Sequence, residues 1–277
     1  MKTLFAEATQ RPLSLRSHRQ LSTLAETVSL LPTGAPFDSA KLLLRSLDET
    51  FNGRGATLGF ILRKGEESTV RAPGRIFGWT PGLFVYQDEH AHRAATSQEL
   101  LRARDFASDE VMRLKVREAG RLRLFASRGF RRDSALPPGI DGDIFRRLRL
   151  VDRMAANLPL GADVEAVVIV DRVRGPVFSL EEARLLLAVL PVVRSVLQGL
   201  ARACGYVDAV EPLTSRERDV VRLLLTGMRE AAIARALSMS AGALHQRVKA
   251  IYLKYQVSSR AELMALWLSG GQRPAPE

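Results

Sequence analysis

Residues 213–228 read LTSRERDVVRLLLTGM, and residues 231–266 continue with AAIARALSMSAGALHQRVKAIYLKYQVSSRAELMAL. Thr214 and Glu217 have the spacing of a capping box, in which the side chain of each residue bonds the backbone amide of the other. Apolar residues then recur at helical spacing, and Gly227 is placed to end the helix. This stretch therefore predicts a run of short, strongly capped helices.

Three further helices are predicted downstream of the first. The second covers about residues 230–237, and the third, from about residue 241 to 255, is capped by Ser240. A second capping box at residues 259–262 opens the fourth helix. An apolar stripe on the fourth helix has two alternative roles, packing within its own domain or contacting a second copy of the chain: Leu263, Leu266 and Trp267.

These motifs resemble the LuxR/FixJ-type helix-turn-helix domain of bacterial transcription regulators. The resemblance covers about residues 211–270. It rests on the leading Leu-Thr, on Arg-Glu-Arg, on the Ile-Ala before the turn and on the closing Val-x-Ser-Arg-Ala-Glu, all in register. The resemblance implies an all-α, four-helix domain that binds double-stranded DNA and regulates transcription.

The third helix supplies the candidates for DNA recognition. A helix of this kind enters the major groove, where exposed side chains near its N-terminus reach base edges. The base-reading candidates are His245, Gln246 and Lys249. The resemblance assigns another set to phosphate contacts, which fix register without reading sequence, with capping or a solvated surface as their alternative role: Thr214, Arg216, Ser240, Arg247 and Lys254.

Three positions depart from the family pattern. Ala243 occupies the place of a threonine at the start of the third helix, Arg229 replaces the serine cap of the second helix, and Ala232 replaces a glutamate before Ile-Ala. We therefore expect the family fold with a different sequence preference.

The upstream two hundred residues carry weaker and mixed patterns. They predict a helix, two strands and a hairpin, in this order: residues 38–51, 56–62, 83–86, and 150–156 with 166–170. A capping box from Ser179 to Glu182 opens a long closing helix that Pro191 should kink or restart. This order resembles a GAF or PAS-like sensor domain, an α+β fold in which an antiparallel sheet packs against helices.

Two features of this region bear on its interior. Residues 121–124 alternate like a half-exposed strand. An unknown small-molecule ligand is an expected partner, and aromatic residues are candidates to line its pocket, with core packing as their alternative role: Phe60, Trp79, Phe84, Tyr86 and Phe125. A receiver domain is excluded by the lack of its strand and helix alternation. An acylated homoserine lactone sensor is disfavoured by the aromatic spacing.

The patterns divide the chain into five segments. They are an N-terminal extension (1–36), a GAF/PAS-like sensor or dimerisation domain (37–203), a linker (204–212), the LuxR-type helix-turn-helix domain (213–270) and a flexible tail (271–277). A homodimer is expected, because one such domain reads only a few base pairs, and RNA polymerase is a further expected partner.

Charge supports a polyanionic partner. The 277 residues include 41 Lys and Arg against 30 Asp and Glu, a net charge of +11. Residues 211–277 hold 10 basic and 6 acidic residues, so the excess is roughly twice as dense there as upstream. An alternative function is therefore a sequence-independent, nucleoid-like protein that binds DNA through charge.

Other classes of protein are disfavoured by the residues. The histidine pair at residues 90 and 92 fits a solvated loop better than a metal site, and catalytic motifs are lacking, so no enzyme activity, metal or cofactor is expected. A single cysteine, Cys204, excludes an internal disulfide. The longest apolar stretch, residues 183–200, carries two arginines and Pro191, so we expect no membrane segment and a cytoplasmic location.

Overall fold

The computed structural model describes residues 12–32, 34–63, 79–87, 96, 113, 116–126 and 139–268. The chain forms two compact units. The first unit comprises Met1–Ser29 and Lys41–Val193, and the second comprises Leu30–Ala40 and Arg194–Glu277. This division falls inside two helices and not in the segment 204–212, and the domain boundaries given above stay a prediction.

The first unit is built around a single five-stranded sheet. Its strands are β1 (Thr57–Arg63), β2 (Trp79–Tyr86), β3 (Arg123–Ala126), β4 (Asp152–Pro159) and β5 (Val164–Arg172). All neighbouring pairs are antiparallel, in the order β2-β1-β5-β4-β3. The helices of the unit that the structure describes from end to end are α1 (Leu15–Ser29), most of α2 (Pro36–Phe51), α3 (Gly139–Leu148) and the first part of α4 (Leu180–Ala203).

The predicted α+β class is confirmed by this sheet and its helices. The predicted hairpin is β4 with β5, paired from Asp152 opposite Arg172 to Pro159 opposite Glu165. Branched and aromatic residues alternate along β1 and β5 and bury one face of the sheet: Leu58, Phe60, Ala166, Val168 and Val170. Ser179 and Glu182 form the predicted capping contacts at the start of α4.

The expectation of a half-exposed strand at residues 121–124 is corrected. Strand β3 is buried along its whole length, including Arg123, because that guanidinium has a buried carboxylate partner. Of the two outcomes expected at Pro191, a restart is wrong, since helix α4 continues through this residue; burial of Val189, Leu190 and Val193 offsets a cost of about 3 kcal/mol for proline inside a helix. Phe60 faces the opposite side of the sheet from Phe84, which packs on Gly59, so these two pocket candidates lie on different faces.

Some expectations fall outside the described residues. The histidine pair at residues 90 and 92, expected to lie in a solvated loop, is one of them.

The second unit contains the four helices predicted from the quoted stretch. They are α5 (Ser215–Leu225), α6 (Glu230–Ala236), α7 (Ala241–Tyr255) and α8 (Arg260–Leu268). A common apolar core joins them to Ala203 and Leu213, with Phe37 packed against it. The unit is therefore all-α, as predicted for this part of the chain.

Helix α4 is long and apolar enough, by length and composition, to cross a membrane. The core helix of a water-soluble protein meets the same criteria, and 56% of the most apolar window of α4 is buried inside the fold. Among the described helices, this one alone meets the criteria.

Candidate DNA-binding surface

The helix starts around the candidate surface are fixed by side-chain caps. The Thr214 hydroxyl accepts a hydrogen bond from the Glu217 amide at 3.3 Å, and the Glu217 carboxylate accepts one from the Thr214 amide at 2.7 Å. The Ser240 hydroxyl accepts from the Ala243 amide at 3.1 Å. Both predicted caps are confirmed, and they satisfy amides that would otherwise lack partners in the first turn.

Helix α7 presents a clear division between its two sides. Its apolar residues are buried in the core of the unit: Leu244, Val248, Ile251 and Tyr255. His245, Gln246 and Lys249 are exposed on the other side. The helical repeat of 3.6 residues thus gathers the predicted base-reading side chains on one solvent-facing surface, where each can reach a partner outside the protein.

An acidic neighbour of this surface escaped the sequence prediction. Glu230, in the first turn of α6, places a carboxylate oxygen 3.7 Å from Nδ1 of His245. Both side chains are about half exposed, so the attraction is weak and depends on protonation of the histidine. The one sign of this contact in the sequence was the acidic residue Glu230 at the start of α6.

Lys254 is committed to partners within its own unit. Its ammonium lies 2.9 Å from a Glu217 oxygen and 3.2 Å from a Glu211 oxygen, and its side chain is 13% exposed. Burial lowers the pKa of Lys254, and the hydrogen bonds to Glu217 and Glu211 outweigh that effect and raise the pKa. Lys254 thus links α7 to the start of α5, and its contact with a phosphate stays a prediction.

The remaining phosphate candidates differ in accessibility. Thr214, Arg216 and Ser240 are exposed, whereas Arg247 is half-buried with its Nε–H lacking an acceptor among the described residues. Arg229 begins α6 without a side-chain capping bond, consistent with its replacing the usual serine.

The apolar stripe of α8 packs inside its own domain. Leu263, Leu266 and Trp267 are all buried in the core of the second unit. The Trp267 ring lies 5.8 Å from the Tyr255 ring, centroid to centroid. Of the two alternatives for the stripe, contact with a second copy is therefore corrected to internal packing, because these side chains are removed from the surface.

The C-terminal end of α7 is tied to the chain that precedes the four helices. The Tyr255 hydroxyl donates a hydrogen bond to the carbonyl of Arg202, and the Arg202 Nε–H donates to Asp208 at 2.6 Å. The Val210 amide donates to the Lys254 carbonyl at 2.9 Å. The segment 204–212, expected to be a linker, is thus hydrogen-bonded to the helix that carries the base-reading candidates.

Two residues of this segment have special surroundings. Gly205 adopts a φ of 69°, and a Cβ there would lie 2.8 Å from the backbone nitrogen of Leu213, so the turn requires glycine. Burial raises the pKa of the Cys204 thiol to about 12, so this cysteine is a core residue and not a reactive thiol. The sequence did not predict the hydrogen bond from Tyr255 to Arg202. The one sign of it was a hydroxyl in the otherwise apolar series of residues on α7.

Comparisons with known proteins match the C-terminal part of the chain. Residues 211–267 match the family described as "Bacterial regulatory proteins, luxR family". Over 57 residues the chain is 46% identical to a protein of Aeromonas salmonicida named "Putative HTH-type transcriptional regulator in exeN 3'region". The match covers 21% of this chain and 29% of that relative, so the chain spans less than a third of its length.

Two solved structures show a weaker likeness over nearly the whole chain. A crystal structure of Escherichia coli SdiA aligns with a TM-score of 0.41 and 15% identity, covering 92% of this chain and 97% of that one. A structure of SdiA in complex with octanoyl-rac-glycerol aligns with a TM-score of 0.38 and 14% identity, covering 94% and 97%.

Proposed function

Because residues 211–267 are a LuxR-family helix-turn-helix domain, we propose that this protein is a sequence-specific regulator of transcription that reads the major groove with α7. One observation carries the proposal. Three polar side chains, His245, Gln246 and Lys249, stand on the exposed side of a helix whose opposite side is anchored in an apolar core. The family that residues 211–267 match is one of regulatory proteins and not of enzymes.

The chemistry of recognition follows from the donor and acceptor groups on this face. Gln246 can form two hydrogen bonds with adenine through N6 and N7, and Lys249 can donate to O6 and N7 of guanine. His245 donates or accepts according to its tautomer. The three side chains together give a short sequence preference.

Phosphate contacts would fix the register of α7 in the groove. Thr214, Arg216, Ser240 and Arg247 are the proposed contacts, each near a helix start or on α7. Backbone amides at the starts of α5 and α7 add favourable partial charge for a phosphate. Lys254 is left out because its ammonium is already bound by two carboxylates.

A homodimer supplies the second half-site. The buried stripe of α8 leaves another face of that helix in solvent, formed by Ala261, Ala265 and Leu268 at the spacing of one helical side. We assign the contact between copies to this face. Small residues permit close approach of two helices, and Leu268, which is 80% exposed, gains most from being covered.

The first unit completes the proposed regulator. An unknown small molecule bound there would modulate DNA binding, and RNA polymerase is the proposed partner at the promoter. Support for modulation comes from the second unit itself, where the chain preceding the four helices is bonded to the end of α7 through Tyr255 and Lys254. We infer a soluble, cytoplasmic protein from the function of the family.

The test is selection of binding sites from random duplex DNA by the full-length protein at physiological salt. Enrichment of a two-fold symmetric motif is expected. Gln246→Ala should then lose about 1 to 3 kcal/mol of binding free energy at particular base pairs only, whereas Arg216→Ala should weaken every site equally.

Two results would contradict the proposal. No enriched motif, with affinity that falls steeply with salt on every fragment, would favour the charge-driven, nucleoid-like protein instead. Equal losses on all sequences for Gln246→Ala would remove the assignment of base reading to α7.

A further inference from the structure

Leu253 is an apolar side chain that the fold leaves in solvent. It is 76% exposed, although Ile251 and Tyr255, two residues to either side on α7, are fully buried. Single exposed leucines are common on protein surfaces. The position of Leu253 on α7 is therefore more informative than its exposure.

Helix geometry places Leu253 on the same line as the base-reading candidates. Successive residues are turned by about 100°, so Leu253, seven positions after Gln246, lies within about 20° of it around the axis. Lys249 lies within about 60° of Gln246 on the same count. The buried residues Leu244 and Val248 lie on the opposite side. Any surface that contacts Gln246 and Lys249 along this helix thus continues onto Leu253.

The distance along the axis suggests which part of the DNA Leu253 meets. A rise of 1.5 Å per residue puts Leu253 about 10 Å beyond Gln246 along the helix, so a helix lying in the major groove presents these two side chains to different base pairs. In the major groove, the apolar group of a base edge is the C5-methyl of thymine. A phosphate offers only acceptors, to which a leucine has nothing to donate.

We propose that Leu253 is a specificity-determining residue that contacts a thymine methyl at a base pair other than the one read by Gln246. This inference rests on the proposed function, since it requires α7 to lie in the major groove. It adds an apolar element to a recognition face otherwise made of hydrogen-bonding groups.

The test removes one methyl group at a time from the DNA. In the duplex selected by the full-length protein, each thymine is replaced in turn by deoxyuridine, which keeps the base pair and lacks only the methyl. At one thymine of each half-site the wild-type affinity should fall about fourfold, as expected for exposing one methyl-sized apolar group. Leu253→Ala should bind the thymine duplex more weakly and should no longer distinguish thymine from deoxyuridine there.

Leu30→Ala is the matched control, because Leu30 is similarly exposed, at 84%, but lies outside the four helices of the DNA-binding domain. This variant should keep the full discrimination against deoxyuridine. Its oligomeric state is measured in parallel with that of Leu253→Ala, by analytical ultracentrifugation.

Several outcomes would overturn the inference while leaving the proposed function intact. They are a duplex in which no thymine methyl matters, a methyl effect that persists in Leu253→Ala, and a Leu253→Ala variant whose losses are equal on every sequence. A dimer that dissociates in Leu253→Ala would identify a second copy as the true occupant. Failure to select any motif would overturn both proposals together, so the two failures are distinguishable.

Discussion

The sheet of the first unit and the helices of the second unit bury charged side chains to different degrees. In the sheet, Arg123 and Glu165 are 2% and 0% exposed and are joined by two hydrogen bonds of 2.6 and 2.5 Å. Arg153 and Asp171 form a second buried pair, with hydrogen bonds of 2.6 and 2.8 Å. In the helical unit Arg202 and Glu217 are also buried, but the partner of each, Asp208 and Lys254, stays partly exposed.

This difference determines where the charged side chains of each unit find their partners. Taking an ion pair out of water costs several kcal/mol per ion, which the pair recovers only through close, well-aligned hydrogen bonds. In the sheet those bonds are made internally: Arg153 joins the neighbouring strands β4 and β5, and Arg123 in β3 reaches past β4 to Glu165 in β5. In the helical unit most cations remain at the surface and are free to meet a polyanion.

Two groups beside the second pair have shifted pKa values. Burial lowers the pKa of Arg153, but the charge and the hydrogen bond of Asp171 outweigh it, and the pKa is raised. Burial raises the pKa of Tyr86 to about 12, so its hydroxyl stays protonated at neutral pH.

The largest effect is expected from breaking a buried pair. Arg123→Ala leaves the Glu165 carboxylate buried without its main partner and should lower the free energy of unfolding by about 3 to 5 kcal/mol, measured by urea denaturation. Arg235→Ala, an exposed arginine of α6, is the control and should change it by less than about 0.5 kcal/mol. Equal effects of the two substitutions would remove the contrast between the units.

A smaller loss is expected at the end of α7. Tyr255→Phe deletes only a hydroxyl, but it leaves the buried Arg202 carbonyl without that donor, so the free energy of unfolding should fall by about 1 to 3 kcal/mol. Tyr252→Phe, on the same helix and partly buried, should have little effect. An unchanged stability of Tyr255→Phe would show that the segment before α5 is not anchored to α7.

The helix caps should follow at about 1 kcal/mol each. Thr214→Ala and Ser240→Ala each remove an oxygen that accepts from the first turn, and thermal denaturation should detect the loss. Arg229→Ser should change stability in the other direction, by about 0.5 to 1 kcal/mol, since α6 has no side-chain cap. A destabilised Arg229→Ser would mean that Arg229 has another stabilising role.

The smallest expected effect is a loss of folding stability at acidic pH. Burial raises the pKa of Glu217, and hydrogen bonds from Lys254 and Thr214 outweigh it, so the pKa in the folded state lies below its usual value. The stabilisation by this carboxylate is therefore complete above the unfolded pKa of about 4.3, and it is lost as pH falls through the lower, folded value.

Denaturation of Glu217→Gln across this pH range gives the measurement. The wild type should lose stability more steeply in acid than the variant, because only the wild type takes up a proton at this position. Parallel pH profiles of the two proteins would contradict the link between Glu217 and Lys254.

How well the sequence predicted each unit depended on the range of the interactions. Thr214 caps Glu217 and Ser240 caps Ala243, contacts only three residues apart, and the sequence predicted both helix starts. The alternation at residues 121–124 predicted an exposed arginine, and that prediction was wrong because the partner of Arg123 is 42 residues away in β5. The sheet and the hairpin were predicted correctly. The charged residues buried on the second face of the sheet could not be predicted from the sequences of the strands alone.

Residue spacing along the chain was enough to predict the four helices, the side of α7 that carries His245, Gln246 and Lys249, and the family of the C-terminal domain. These features depend on residue spacing within one or two helical turns, where the backbone geometry is already known. Only the tertiary structure decided that Lys254 binds Glu217, that Leu263 and its neighbours are buried, and that Tyr255 is bonded to Arg202. Those contacts join residues far apart in the chain, and a side chain that suits the surface in isolation is buried when the fold brings it a partner.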